Sequence, residues 1–159
     1  MKNFLSGTNE WSVKNANFIT GCKNDCKYCF SKAIMIHYNK KTEETWKEET
    51  VRQKDINKKW KLYGNGRVMF PSSHDITPAH LDDSIKFLQN ILLPGNEVMI
   101  VSKPHLECIK KICDSFTDYK DKILFRFTIG SVNNDTLKFW EPGAPSFEER
   151  LESLKYAFD

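Results

Sequence analysis

The chain has 159 residues, of which 40% are hydrophobic and 28% charged, and its formal net charge is +3. That length suits one domain of ordinary size, and that composition excludes a disordered or fibrous chain. The small net charge does not define a nucleic-acid binder, which needs its basic residues clustered on one face.

The amino-terminal MKNFLSGTNEW has no long apolar run and no signal-peptide pattern. The first β-prone run is SVKNANFIT (12–20), followed by the cysteine-bearing GCKNDCKYCF (21–30) and a helix-like stretch over 26–39. Residues 40–66 are charged but interleave acids with bases, the pattern of a solvated helical face; one extra helix is expected within this stretch, which ends at the GNG turn (64–66). A second strand, RVMFP (67–71), precedes TPAHLDDSIKFLQNIL (77–92). There Thr77 is a candidate N-cap and Pro78 a first helical residue. Leu81, Ile85, Leu88 and Leu92 fall on one helical face. A third strand, EVMIVSK (97–103), leads into the helical PHLECIKKICDSF (104–116). The fourth, ILFRFTIGS (123–131), is followed by SFEERLESLKYAF (146–158), where Ser146 and Glu149 form a capping box. Strand–helix alternation four times over predicts a parallel sheet with helices outside it, with Ile123, Phe125, Phe127 and Ile129 on one face of an open edge strand.

No run of about eighteen apolar residues exists, so no transmembrane helix is expected. The expected compartment is the cytoplasm, where thiols stay reduced and clustered cysteines point to metal or catalysis rather than disulfides. Cys22, Cys26 and Cys29 are spaced C-x3-C-x2-C with no fourth cysteine nearby. A structural zinc site wants four ligands, commonly from two knuckles. His37 is the only nearby histidine, eight residues past Cys29. Cys108 and Cys113 lie among apolar residues of a later helix and read as small buried hydrophobes. An open [4Fe–4S] cluster, with three thiolates and one iron left for a small chelating molecule, fits the triplet; a zinc site remains the alternative.

The spacing, with Tyr28 as the aromatic before the last cysteine, resembles that of the radical S-adenosylmethionine (radical SAM) enzymes. The nearest branch is that of spore photoproduct lyase. The likeness is carried by GCKNDCKYC, by SSHD (72–75) after the second strand, by SK (102–103) after the third, and by TIGS (128–131) with EPGAPSFEERL (141–151) after the fourth. The resemblance implies an α/β fold, a partial (βα) barrel with about four of the family's six βα units. The chain would then be the amino-terminal part of a radical SAM core domain. It implies an enzyme that reductively cleaves S-adenosylmethionine at a [4Fe–4S] cluster, forming a 5′-deoxyadenosyl radical that abstracts hydrogen from a substrate. Cys22, Cys26 and Cys29 would hold the cluster. Ser73, Lys103 and Ser131 match positions that contact S-adenosylmethionine in that branch, and they are expected to converge beside the cysteine loop. Tyr28 would face the adenine, and Asn133 and Asp135 would lie near the ribose. His74 and Asp75 are candidates for substrate or proton handling, with helix capping the alternative for Asp75. Glu141 and Arg150 are expected to be a structural pair holding the EPGAPS turn.

A one-electron reductant such as flavodoxin or ferredoxin is the implied partner. The lyase repairs a thymine dimer, which makes a nucleic-acid lesion one candidate substrate. This chain lacks the carboxyl-terminal segment that carries the lyase's distinctive cysteine and much of its lesion pocket, so the substrate itself does not carry over. An activase that places a glycyl radical on a protein partner, and a non-enzymatic iron–sulfur or zinc module, are the alternatives.

Overall fold

The structure is a computed structural model and describes residues 7–64 and 66–158. Its strands are β1 (Lys14–Asn15), β2 (Ile19–Thr20), β3 (Thr50–Val51), β4 (Arg67–Phe70), β5 (Glu97–Ser102) and β6 (Ile123–Phe127). Its α-helices are α1 (Phe30–His37), α2 (Gln53–Ile56), α3 (Leu81–Leu92), α4 (Leu106–Ser115), α5 (Asn134–Trp140) and α6 (Phe147–Phe158). The main sheet runs β1-β4-β5-β6, all parallel, while β2 and β3 form a separate antiparallel pair. The expected α/β class with a mostly parallel sheet is therefore present. The GNG turn includes Asn65, which lies outside the described residues.

Register decides which side chains meet the helices. Val68 pairs with Val98, and Phe70 with Ile100; these four join Phe87, Leu88, Ile91, Ile109 and Ile112 in the hydrophobic core. Full burial of one such side chain stabilises the fold by roughly 1.5–3 kcal/mol. Side chains alternate along a strand, so Met69, Val101 and Arg126 take the opposite, concave face. There they line a cleft with the cysteines. Cys108 belongs to the core, and Cys113 packs against it.

The structure corrects several expected elements. The run 12–20 is two dipeptide strands rather than one. Val13 N–H and Ala16 N–H bond to the Arg67 and Met69 carbonyls at 3.0 and 2.8 Å, and the chain then leaves the sheet. The Asn17 side chain takes over, its Oδ1 accepting from Ser72 N–H and Ser73 N–H at 2.8 and 2.9 Å. Backbone donors met by a side chain do not need a strand neighbour.

Helix α1 starts at Phe30, four residues later than expected, because Cys29 is its N-cap and the Cys29 sulfur accepts from Lys32 N–H at 3.4 Å. Thr77 makes no side-chain capping bond; a short 3-10 turn (Pro78–His80) intervenes before α3. The fourth strand ends at Phe127, so Ile129 lies beyond the ladder, while Ile123, Phe125 and Phe127 pack on the core side. Ser146 Oγ accepts from Glu149 N–H at 3.3 Å, but the Glu149 carboxylate turns to Leu106 N–H at 3.1 Å, so only half of a capping box forms. Helix α5 was not expected. Its cap is Asn133, whose Oδ1 accepts from Thr136 N–H at 2.9 Å.

Candidate active site

The cysteine loop joins β2 to α1 and is fixed from three sides. Gly21 opens it at φ +98°, where a Cβ would stand 2.6 Å from the Glu48 carbonyl oxygen and 2.7 Å from that of Trp46; glycine alone adopts this conformation beside that backbone. Cys22 N–H bonds to the Trp46 carbonyl at 3.0 Å, and Lys23 N–H to the Glu49 carboxylate at 3.0 Å. On another side, Lys27 N–H bonds to the Trp140 carbonyl at 2.9 Å and Gly143 N–H to the Asn24 carbonyl at 3.1 Å. Gly143 approaches so closely that a Cβ would lie 2.1 Å from the Lys23 carbonyl oxygen. The EPGAPS segment is thus a backing plate for the cysteine loop, a role visible in the sequence only as an unexplained Gly between two prolines.

The third tie runs through Asp75, which is buried at the end of β4. Its carboxylate accepts from Asn24 Nδ2 at 2.8 Å, Ile76 N–H at 2.8 Å, Ser102 Oγ at 2.5 Å and Lys103 N–H at 3.0 Å. Burial pushes this carboxyl up, opposed by the hydrogen bonds from Ser102, Lys103 and Ile76. With all four acceptor positions engaged, Asp75 is a structural knot rather than a free acid or a helix cap. His74 beside it is buried against Phe18 and Phe70. Its Nδ1 donates to the Asp75 carbonyl at 2.9 Å, because a carbonyl can only accept, which leaves Nε2 as a buried acceptor with no partner among the described residues. Burial lowers its pKa to about 4, so the ring is neutral at physiological pH.

Cys22, Cys26 and Cys29 line one cleft of about 630 Å³, together with Tyr28, Ser73 and Lys103. All three cysteines are free thiols. Burial raises Cys22 to about 12 and pushes Cys26 up as well, the latter eased by the Lys103 charge. Any cluster bound here takes thiolates, so its assembly must expel protons from this pocket. Among the described residues, no three His, Cys, Asp or Glu side chains are gathered to hold a single metal ion, and His37 is exposed on α1. The donor set, three thiols in one cleft with an adjoining cationic side chain, fits a cluster that keeps one iron open to a small anionic chelator.

The remaining candidates separate. Lys103 Nζ lies 4.0 Å from Glu141 Oε1 and 5.7 Å from the centre of the Tyr28 ring. Tyr28 is half-exposed and donates its hydroxyl to Glu141 Oε1; burial and this bond push its pKa up. Glu141 Oε2 forms an ion pair with Arg150 at 2.7 Å, off the linear hydrogen-bond direction. The fully buried Arg150 also donates Nε to the Pro145 carbonyl at 2.9 Å and Nη1 to the Thr128 carbonyl at 3.2 Å, so the pair does hold the EPGAPS turn. Ser131 is not in the main cleft. It lines an adjoining cavity of about 390 Å³ bordered by Tyr28 and Glu141, and its Oγ accepts from Asn133 N–H at 3.0 Å. The Asn133 side chain is occupied as the α5 cap, and Asp135 is an exposed residue of that helix's first turn. Sequence reasoning missed Asn24, Gly143, Trp11 and Arg126. Of these, only Asn24, inside the cysteine loop, had a positional signal.

A parallel α/β sheet with a three-cysteine loop beside the carboxyl ends of its strands defines a class of cluster-binding protein. The family profile described as "Radical SAM superfamily" matches residues 16–159, and the chain belongs to that superfamily. It is also similar to "Uncharacterized protein ORF301" of Acidianus two-tailed virus, at 26% identity over 152 residues, covering 89% of this chain and 50% of the relative. The chain thus spans about half the length of that curated relative. No solved structure matches it. Membership implies, for the superfamily in general, a [4Fe–4S] cluster, S-adenosylmethionine and a reductant. Among the described residues, no helix is long and apolar enough to cross a membrane.

Proposed function

We propose that this chain carries the cluster and cofactor site of an enzyme that reductively cleaves S-adenosylmethionine. The observation that carries the reading is the three free thiols sharing one cleft with Lys103 and Ser73, with no fourth cysteine lining that cleft among the described residues. When bound, the cluster and S-adenosylmethionine supply a 5′-deoxyadenosyl radical for hydrogen abstraction. Cys22, Cys26 and Cys29 hold the cluster. Lys103 would set a positive charge in the same cleft to orient the cofactor carboxylate, as a point charge rather than a fork. Ser73 offers a hydroxyl in the same cleft, and Tyr28 presents a ring at its rim. Ser131 would meet the cofactor from the adjoining cavity that Tyr28 also lines.

The lyase-like chemistry, a nucleic-acid lesion as substrate, flavodoxin or ferredoxin as electron donor and a cytoplasmic location belong to this same reading through the spore photoproduct lyase resemblance. The open edge at β6 favours the chain being the amino-terminal part of a larger barrel.

The test is anaerobic reconstitution with iron and sulfide, followed by reduction with S-adenosylmethionine present. About four irons and four sulfides per chain, and 5′-deoxyadenosine as product, are expected. Alanine at Cys22, Cys26 or Cys29 should abolish both, whereas Cys108→Ala and Cys113→Ala should keep both. Bound zinc without sulfide would overturn the reading.

A further inference from the structure

The chain has four arginines, Arg52, Arg67, Arg126 and Arg150. Three face a carboxylate: Arg52 meets Asp55 at 2.5 Å, Arg67 meets Glu97 at 3.5 Å and Arg150 meets Glu141 at 2.7 Å. Arg126 has no carboxylate within 4.0 Å among the described residues. Instead its guanidinium lies 4.2 Å from the centre of the Trp11 ring. Arg126 pairs in register with Val101, so it shares the concave face with Val101 and, two residues further along the chain just past β5, with Lys103. All three line the cysteine cleft, as does Trp11. The carboxylates in that cleft are Asp75, committed to four donors, and Glu10, which lies outside ion-pair distance.

A cation–π contact with one indole ring uses none of a guanidinium's N–H donors, so they remain available to a ligand. A planar fork with available donors matches the two oxygens of a carboxylate or phosphate. We infer that Arg126, in contact with Trp11, is a substrate-binding residue that takes an oxyanion of the substrate within the cysteine cleft. Lys103, whose charge bears on Cys26, serves the cofactor end. Arg126 stands one two-residue step deeper, roughly 7 Å along the strand direction. The substrate class is thus a molecule with a phosphate or carboxylate one short spacer away from the hydrogen to be removed.

The inference rests on reading the cleft as the S-adenosylmethionine site, and its test is a binding measurement that does not need turnover. Cluster-loaded protein, kept anaerobic, is titrated with inorganic phosphate and separately with acetate. The arginine Nε–H and β6 amide resonances are followed. A saturable shift assigned to Arg126 is expected, with half-saturation roughly tenfold weaker in Arg126→Gln. Arg126→Lys keeps a cation in the cleft and should fall between the two, with an unchanged melting temperature. Tighter phosphate than acetate assigns a phosphorylated substrate; the reverse assigns a carboxylate. No saturation by either ion, or equal affinity in Arg126→Gln, overturns the inference. So does competitive displacement of phosphate by S-adenosylmethionine, since Arg126 would then serve the cofactor. Saturable anion binding in a protein that never cleaves S-adenosylmethionine would keep the anion site and sink the proposed function alone.

Discussion

Asn24 donates its side-chain amide to the buried Asp75 carboxylate at 2.8 Å. That bond ties the cysteine loop to the ends of β4 and β5, because the same carboxylate also accepts from Ser102 and Lys103. Removing one donor from a buried charged acceptor costs about 1–3 kcal/mol. Asn24→Ala should therefore lower the melting temperature modestly and loosen the loop, so that a chelator strips iron several-fold faster. Asp75→Asn should be worse, since its amide would point N–H groups at other donors. Iron release against a chelator, read beside thermal unfolding, checks both.

Gly143 makes a second, steric tie. A Cβ there would stand 2.1 Å from the Lys23 carbonyl oxygen, a contact with rigid backbone, whereas a Cβ on Gly130 would meet Glu141 Oε1 at 3.7 Å. Overpacking of this kind typically costs about 1–3 kcal/mol. Gly143→Ala should destabilise the protein by that order and reduce the iron bound after reconstitution, with Gly130→Ala close to the parent. Equal iron content in the two variants would count against the backing-plate role.

The Glu141–Arg150 pair is fully enclosed, with side-chain exposures of 2% and 0%. Breaking a buried pair by removing one partner costs about 3–5 kcal/mol, because the other charge is left uncompensated. Glu141→Gln should approach that loss, although its amide oxygen still accepts from the Tyr28 hydroxyl. Replacing both residues together, Glu141→Leu with Arg150→Met, should recover much of the stability. Urea unfolding of the two single variants and the double variant measures the coupling.

His74 makes stability depend on pH. The folded protein keeps it neutral down to about pH 4, whereas the imidazole in the unfolded chain protonates near 6.5. Between those values the unfolded state binds the extra proton. Stability from this group is therefore complete above about pH 6.5 and is lost as pH falls toward 4. Going from pH 7 to 5 should cost roughly 2 kcal/mol on this account. His74→Phe, which keeps a ring between Phe18 and Phe70, should flatten that dependence in urea unfolding at the two pH values. An equal slope in the variant would assign the acid sensitivity elsewhere.

Local chemistry was legible in the chain itself. The cysteine triplet is a spacing, and spacing is read directly from sequence. The parallel α/β class followed from strand–helix alternation repeated four times, seen most plainly in the apolar run of β5 and the helical stripe of α3. Boundaries were less legible, because they depend on partners distant in sequence. The run 12–20 splits because Asn17 meets Ser72 and Ser73, 55 and 56 residues away. Helix α5 is short, and its Asn133 cap looked like one more polar loop residue.

The sequence by itself determined the cysteine triplet proposed to hold iron and the alternating face of β6 that carries Ile123, Phe125 and Phe127, since both depend on residue type and a fixed repeat. Only the tertiary structure decided that Asp75 is a knot rather than an acid, that Ser131 lines a cavity adjoining the cleft, and that Arg126 has no carboxylate within 4.0 Å among the described residues. The physical reason is that a charged side chain's role is set by what lies within a few ångströms of it in space. For Asp75, Glu141 and Arg126 those neighbours come from segments far along the chain.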